Sequence, residues 1–412
     1  MRHLALVALT ACQGTSSTVN LDLVTAPGST LLDGVQRLRL TVTEPRAVFE
    51  TERGAGGFDL AFDVEATGLP GALILEGLDD NGALIATGAS PPFPLTPIEA
   101  RIVLYVAAPM SIEPAPVTLE PARELVSTGT LSYGAILAGG RHPTTQAASD
   151  RMTIYNAYVH TLTEGAPLPA PRVGVGLAVD ALDRAILVGG TGPDNAVTAT
   201  VWRFDTRVSP AGGYAELADD PALARTGERV VRIGDDRFLV TGSPALDINL
   251  GVVSTRSERA LLNSSGTGLV GTDGVPVAVF ANASGIVRFR DGEGFTTLSP
   301  TPRPDAGTVT LPDRTVLVVG AGLDATRVDP ASGELTTIAG FLPISCPSPE
   351  TAVTSRHVLV GCGTQTYVYD ADSLALLTVI AKSGVSMTPL PNDQVLMMLG
   401  AELSLFTPSP PE

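Results

Sequence analysis

Seven stretches of this chain climb through an apolar run to a glycine or, once, an alanine, ending at Gly139, Gly189, Gly242, Ala281, Gly320, Gly361 and Gly400. Successive ends lie 50, 53, 39, 39, 41 and 39 residues apart. One apolar strand in each unit of about 40 residues cannot bury both faces alone, so the units must stack, and this period is that of a four-stranded β-propeller blade. The spacing predicts an all-β fold whose larger part, residues 116–408, is a seven-bladed β-propeller.

Ahead of the repeats, residues 19–108 alternate apolar and polar side chains, as in Arg37-Leu-Arg-Leu-Thr-Val42. Such alternation puts one face on a core and one in water, which predicts a small antiparallel β-sandwich. Asn81-Gly82 is a type I′ hairpin signal. Asp79 and Asp80 beside it form a plain acidic turn, short of the six to eight oxygens that calcium takes. This region resembles the immunoglobulin-like and transthyretin-like sandwiches that precede catalytic or binding domains in exported bacterial proteins. Three prolines between Ala108 and Pro116 mark residues 109–115 as a linker. The last unit supplies only three strands before the chain ends, and an unpaired edge in a ring leaves backbone donors without partners. Pro116-Val-Thr-Leu-Glu120 is therefore expected to close the ring as the outer strand of the last blade.

The chain has 412 residues, 44% of them apolar and 17% charged, with a formal charge of −17. That is ample for two cores. It excludes a nucleic-acid surface, which needs dense Lys and Arg, and disfavours electrostatic docking on anionic lipid.

The N-terminus joins a basic start to an apolar run and then Leu9-Thr10-Ala11-Cys12. Small residues before a lone cysteine resemble a bacterial lipobox, which implies a signal peptide over 1–11, lipidation of Cys12 and a tether over 12–18. The alternative is an ordinary apolar N-terminus or a conventional signal peptide. Acyl chains would hold the protein at a membrane without a spanning helix, and no later stretch has 18 consecutive apolar residues. Gln13 after the cysteine resembles lipoproteins sorted to the outer membrane, so the expected location is the bacterial cell envelope. Two cysteines remain, Cys346 and Cys362. If 350–354 and 357–361 form a hairpin, its register sets Cys362 opposite Pro349, three residues from Cys346, and a disulfide there would stabilise by about 3 kcal/mol. Two buried free thiols are the alternative.

Within most units an Asp- or Gly-bearing turn precedes the apolar strand, and a third strand such as Val201-Trp-Arg-Phe-Asp205 or Tyr367-Val-Tyr-Asp370 follows in several. This order resembles kelch repeats over about residues 116–408, although the full Gly-Gly occurs only at 139–140 and 189–190 and the single Trp is Trp202. In blades one and two, long polar loops over 140–150 and 190–198 offer Arg141, His142 and Asp194 as recognition residues. Arg172, Arg225 and Lys382 each stand two before a glycine at the lead-in to a first strand, and Arg303 falls within one residue of the same column. Kelch domains that bind acidic peptides use arginines near this column, so these four cations are candidates for an anion-binding mouth. The alternative is that each caps a neighbouring carbonyl or pairs with an aspartate.

Catalysis finds little support. There is no Gly-x-Ser-x-Gly elbow, no metal-spaced cluster, and the mature chain's three histidines, His142, His160 and His357, are scattered. The expectation is a monomeric, exported, membrane-anchored binding or scaffold protein without metal or cofactor, whose ligand is a protein, peptide or glycan, anionic if the arginine column is the binding mouth. A degenerate propeller enzyme acting on polysaccharide or another extracellular substrate is the alternative.

Overall fold

A computed structural model of the chain describes residues 16–65, 67–94, 100–384 and 386–411. Cys12 and the expected signal peptide lie outside the described residues.

The larger part consists of seven four-stranded antiparallel sheets. Blades I to VI span residues 127–164, 176–219, 230–256, 265–299, 307–338 and 350–380. Blade VII combines 386–407 with Ser111–Pro114. The first strands neighbour one another in a closed cycle, blade VII beside blade I. There, Thr388 Oγ1 donates to Thr128 Oγ1 at 2.6 Å and Thr130 Oγ1 donates to the Pro389 carbonyl at 2.8 Å.

The second strands explain the apolar runs. Alternate side chains point to opposite faces of a strand, and here both faces are covered. Ile136 packs with blade II, while Leu137 packs with blade VII. Ile186 faces blade III and Leu187 faces blade I. The same division continues through every blade, so seven separate cores lie between adjacent blades and none lies within one. First strands crowd the axis and need small residues. A Cβ at Gly129 would collide with Leu177 of blade II, and one at Gly268 with the Arg232 carbonyl of blade III.

The smaller part holds its own core, built on Val19, Leu21, Leu38, Leu40, Leu73, Leu75 and Leu104. One sheet orders Arg46–Glu52, Arg37–Thr43, Leu73–Leu78 and Leu84–Ala89. The other orders Ala61–Glu65, Ser16–Val24 and Ala100–Tyr105. Three details depart from the sequence reading. Ser16–Val24 starts inside the expected tether and pairs with Ala100–Tyr105 in parallel, so the sandwich is not wholly antiparallel. Arg46–Glu52 is an additional edge strand with no fully buried residue. The Asn81-Gly82 turn is not type I′, because Gly82 alone is left-handed, at φ 78°. Asp79 instead closes a five-residue turn, its Oδ1 accepting from the Asn81 and Ala83 amides at 2.8 Å each. Asp180 builds the same turn in blade II.

The ring is closed by Ser111–Pro114, which pairs with Glu402–Thr407, and not by 116–120. The residues read as a linker are thus an outer strand. Proline is excluded only from positions that donate to the ladder, and Pro114 ends an edge strand. Ile112 is buried between blades VI and VII beside Phe406 and Met397.

The two parts share a joint. Tyr105, fully buried, leaves the sandwich core and joins the core between blades VII and I. Its hydroxyl donates to the Pro114 carbonyl at 2.9 Å. Its amide donates to His160 Nε2 at 3.1 Å, and His160 Nδ1 lies 2.6 Å from the Tyr155 hydroxyl. With Nε2 accepting, the neutral ring's proton sits on Nδ1, facing that hydroxyl. Asn392 of blade VII donates to the Ala89 carbonyl at 3.2 Å, and the Tyr158 hydroxyl to the Pro92 carbonyl at 2.7 Å.

Two outcomes follow from closure and joint. Ile112→Ala should lose roughly 2–4 kcal/mol in urea unfolding, whereas Val117→Ala should lose about 1 kcal/mol or less. Burial drives the His160 pKa down from 6.5 to about 4, so the unfolded chain takes up this proton first. That contribution is present above about pH 6.5 and falls away as pH drops toward 4. Thermal melts between pH 7 and 4.5 should show a shallower loss for His160→Gln than for the wild type.

Candidate functional site

Four of the sequence candidates stand in one structural column. Arg172, Arg303 and Lys382 each lie four residues before a first strand, and Arg225 lies five before. Arg123, Leu261 and Cys346 occupy the same place in blades I, IV and VI. The column clasps adjacent blades. Its backbone grips the preceding blade: the Gly140 amide donates to the Arg172 carbonyl and the Gly190 amide to the Arg225 carbonyl, both at 2.9 Å. Its side chains grip their own blade.

Arg123 shows the device most fully. Nη1 donates to the Gly139 and Arg151 carbonyls at 2.9 Å each, and Nη2 to Thr153 Oγ1 at 2.7 Å. Arg303 repeats it on the Gly320 and Asp324 carbonyls and on Thr326 Oγ1. Arg225 donates to the Leu223 and Thr241 carbonyls. Arg172 donates to the Pro171 carbonyl, reaches Thr200 Oγ1 at 3.4 Å and lies 4.9 Å above the Trp202 ring. Lys382 Nζ donates to the Ile112 carbonyl at 2.7 Å. Burial lowers the pKa of Arg172 and Arg225, and pushes that of Arg123 down to about 10. Caps on carbonyls are the second of the two readings that the sequence left open.

Blade VI replaces the cation by a covalent bond. Cys346 and Cys362 form a disulfide with Cα atoms 5.5 Å apart, and Glu350 pairs with Gly361, which sets Pro349 opposite Cys362.

The loop candidates serve local structure. Arg141 Nε donates to Glu124 Oε1 at 2.8 Å. His142 Nδ1 accepts from the Thr144 and Thr145 amides at 3.2 Å. Asp194 accepts from the Ala196 amide at 3.1 Å and lies beside Arg172.

The first strands enclose an axial funnel of about 600 Å³. Around its mouth the strands begin with Ser127, Gly176, Val230, Ser265, Gly307, Glu350 and Ser386. Six of these seven are small or neutral, and Glu350 is the exception. Arg229, immediately before Val230, reaches it: Nη2 lies 3.5 Å from Glu350 Oε1. Blades III and VI are three places apart, the most that a ring of seven allows, so this pair crosses the axis. The contact is loose, and the Arg229 and Glu350 side chains keep 56% and 31% of their exposure. Burial raises the Glu350 pKa and Arg229 partly opposes the rise. Both descriptions hold, because the carboxylate is ringed by protein yet wetted from the funnel. Glu228 also lines the funnel, but accepts from Thr241 Oγ1 at 2.5 Å and stands near Arg225. Neither Arg229 nor Glu350 was among the sequence candidates. The available signal was a glutamate where sibling strands begin with serine, glycine or valine.

Among the described residues no three His, Cys, Asp or Glu side chains are grouped to hold a metal ion, and no helix is long and apolar enough to cross a membrane. No family model matches the chain, and no curated protein matches it in sequence.

Removing a clasp strips several acceptors of their donor at once. Arg123→Ala should destabilise by about 2–4 kcal/mol in urea unfolding. Arg123→Lys should recover only part of this, since one ammonium cannot reproduce the planar fork.

Proposed function

We propose that this chain is a membrane-tethered binding lipoprotein of the bacterial cell envelope, sorted to the outer membrane, which presents a kelch-like propeller to a ligand through its axial funnel. The observation that carries the binding reading is the Arg229–Glu350 pair. An ion pair this exposed contributes about 0–1 kcal/mol to stability, and neither residue forms part of a clasp. The two charges stand in a wall of glycines, serines and threonines, with their hydrogen-bonding capacity turned to the funnel. Pockets with few convergent charged groups are where small ligands bind.

The lipobox Leu9-Thr-Ala-Cys12 supports the tether. Cys12 lies four residues before Ser16, at most about 14 Å of chain. Ser16–Val24 then runs for roughly 26 Å toward the joint at Tyr105. The joint engages blade turns at one end of the strands, at His160, Tyr158 and Asn392, whereas Arg229 and Glu350 lie at the opposite end. On this reading the sandwich is a spacer and the funnel opens away from the bilayer. Its ligand is a protein, peptide or glycan, or a part of one.

Radioactive palmitate should label the wild type and not Cys12→Ser, and equal labelling would refute the tether. Pull-downs from an envelope fraction should retain a species with the wild type that Arg229→Met/Glu350→Gln loses. An unchanged set of captured species would remove the funnel as the binding site.

A further inference from the structure

Charge balance in the funnel narrows the ligand's chemistry, given that the funnel is the ligand site. Arg229 is the cation that faces its lumen, and Glu350 is that cation's counterion. Glu228 is occupied by Thr241 and offset by Arg225. Glu350 is the more enclosed of the two charges, and Arg229 is the cation that offsets it.

A purely anionic ligand on Arg229 would leave Glu350 unneutralised against a second negative charge, in a ring whose neighbouring positions are Gly307 and Ser386. A purely cationic ligand on Glu350 would strand Arg229 in the same way. Burial already works against the Glu350 charge, so the loss of its cation would be costly. A ligand carrying both signs replaces each half of the pair with a shorter charge-assisted hydrogen bond and leaves the net charge unchanged.

We propose that the funnel binds an α-ammonium carboxylate, the head group of an amino acid, with its carboxylate on the Arg229 guanidinium and its ammonium on the Glu350 carboxylate. The two ligand charges sit on adjacent carbons, so the pair must part by only a few ångströms. The Arg229 side chain, more than half exposed and bonded to nothing else, supplies that movement. The remaining volume, about 600 Å³ in all, takes the side chain or the molecule to which the head group belongs. Gly176, Gly227 and Gly307 line the space beside it.

The test uses the full chain in isothermal titration with alanine, propionate and ethylammonium, the last two each carrying one of alanine's charges. The wild type should bind alanine in the range of about 0.1–1 mM, as a small ligand with two ionic anchors does. Propionate and ethylammonium should bind at least roughly tenfold more weakly, a difference of about 1.4 kcal/mol. Glu350→Gln should lower alanine affinity to the level of propionate, and Arg229→Met should abolish binding of both. L- and D-alanine arms tell which hand of the head group the funnel takes. Propionate binding as tightly as alanine, and equally to Glu350→Gln, would overturn the zwitterion while leaving the funnel as an anion site. Alanine binding that survives Arg229→Met/Glu350→Gln would overturn both readings. Absence of any alanine heat, with envelope capture still sensitive to the same two substitutions, would overturn the zwitterion alone.

Discussion

Each blade in this ring has two apolar faces and no means of burying either one by itself. The second strands show why closure is obligatory: Val316–Val319 is buried at all four positions, with Val316 and Val318 turned to blade IV and Leu317 and Val319 to blade VI. An open array would leave one such face in water at each end, and a fully exposed Val or Leu forfeits about 1.5–3 kcal/mol. The cost falls on several side chains at once, so the chain closes. Closure requires blade VII to be complete, and that is the reason Ser111–Pro114 returns to it from the other end of the repeat region. The axial funnel is a by-product of the same requirement, since seven first strands meeting around a ring cannot fill its centre.

Closure leaves a second difficulty at the seams. Second strands end in glycines with left-handed backbone, such as Gly139 at φ 62° and Gly140 at φ 94°, and carbonyls at such a break have no ladder partner. The clasp column answers this with arginine, whose planar fork reaches two carbonyls and a hydroxyl from one side chain. A buried guanidinium without a carboxylate is normally unfavourable. Here Nη1 is turned onto carbonyl dipoles and Nη2 onto a hydroxyl, and burial still lowers the Arg123 pKa. The substitution of a disulfide in blade VI and of the fully buried Leu261 in blade IV indicates that the column's task is joining blades, for which charge is one of several solutions.

Local pattern carried the repeat number, the sandwich and the disulfide, because each depends on period or register within a few residues. Cys346 and Cys362 are tied by one hairpin, and the pairing of Glu350 with Gly361 follows from where its turn lies. Arg46–Glu52 is hard to read from sequence because Ala47 and Phe49, which pack against the core, flank an equally apolar but exposed Val48, so the alternation is broken. Ser111–Pro114 was obscured by Pro114 and the flanking Pro109 and Pro116, which an outer edge tolerates. The arginine column was visible as spacing, but spacing does not reveal whether a side chain turns toward the mouth or inward to a carbonyl. Arg229 and Glu350 are 121 residues apart, and only the ring brings them together.

That separation bears on what the pair does. Clasp backbones, the turn aspartates Asp183 and Asp393 and several first-strand hydroxyls act between neighbouring blades, as Ser132 does with Asp183 and Ser355 with Asp393. Such contacts build a ring one seam at a time. A contact across the axis joins no seam, and at 3.5 Å it only partly offsets what burial takes from the Glu350 charge. Glutamine at 350 would relieve that burden at neutral pH without touching any clasp. On the binding reading proposed above, a pair that adds little stability and supports no neighbouring contact serves what enters the funnel, its charges already oriented and lightly held before a ligand arrives.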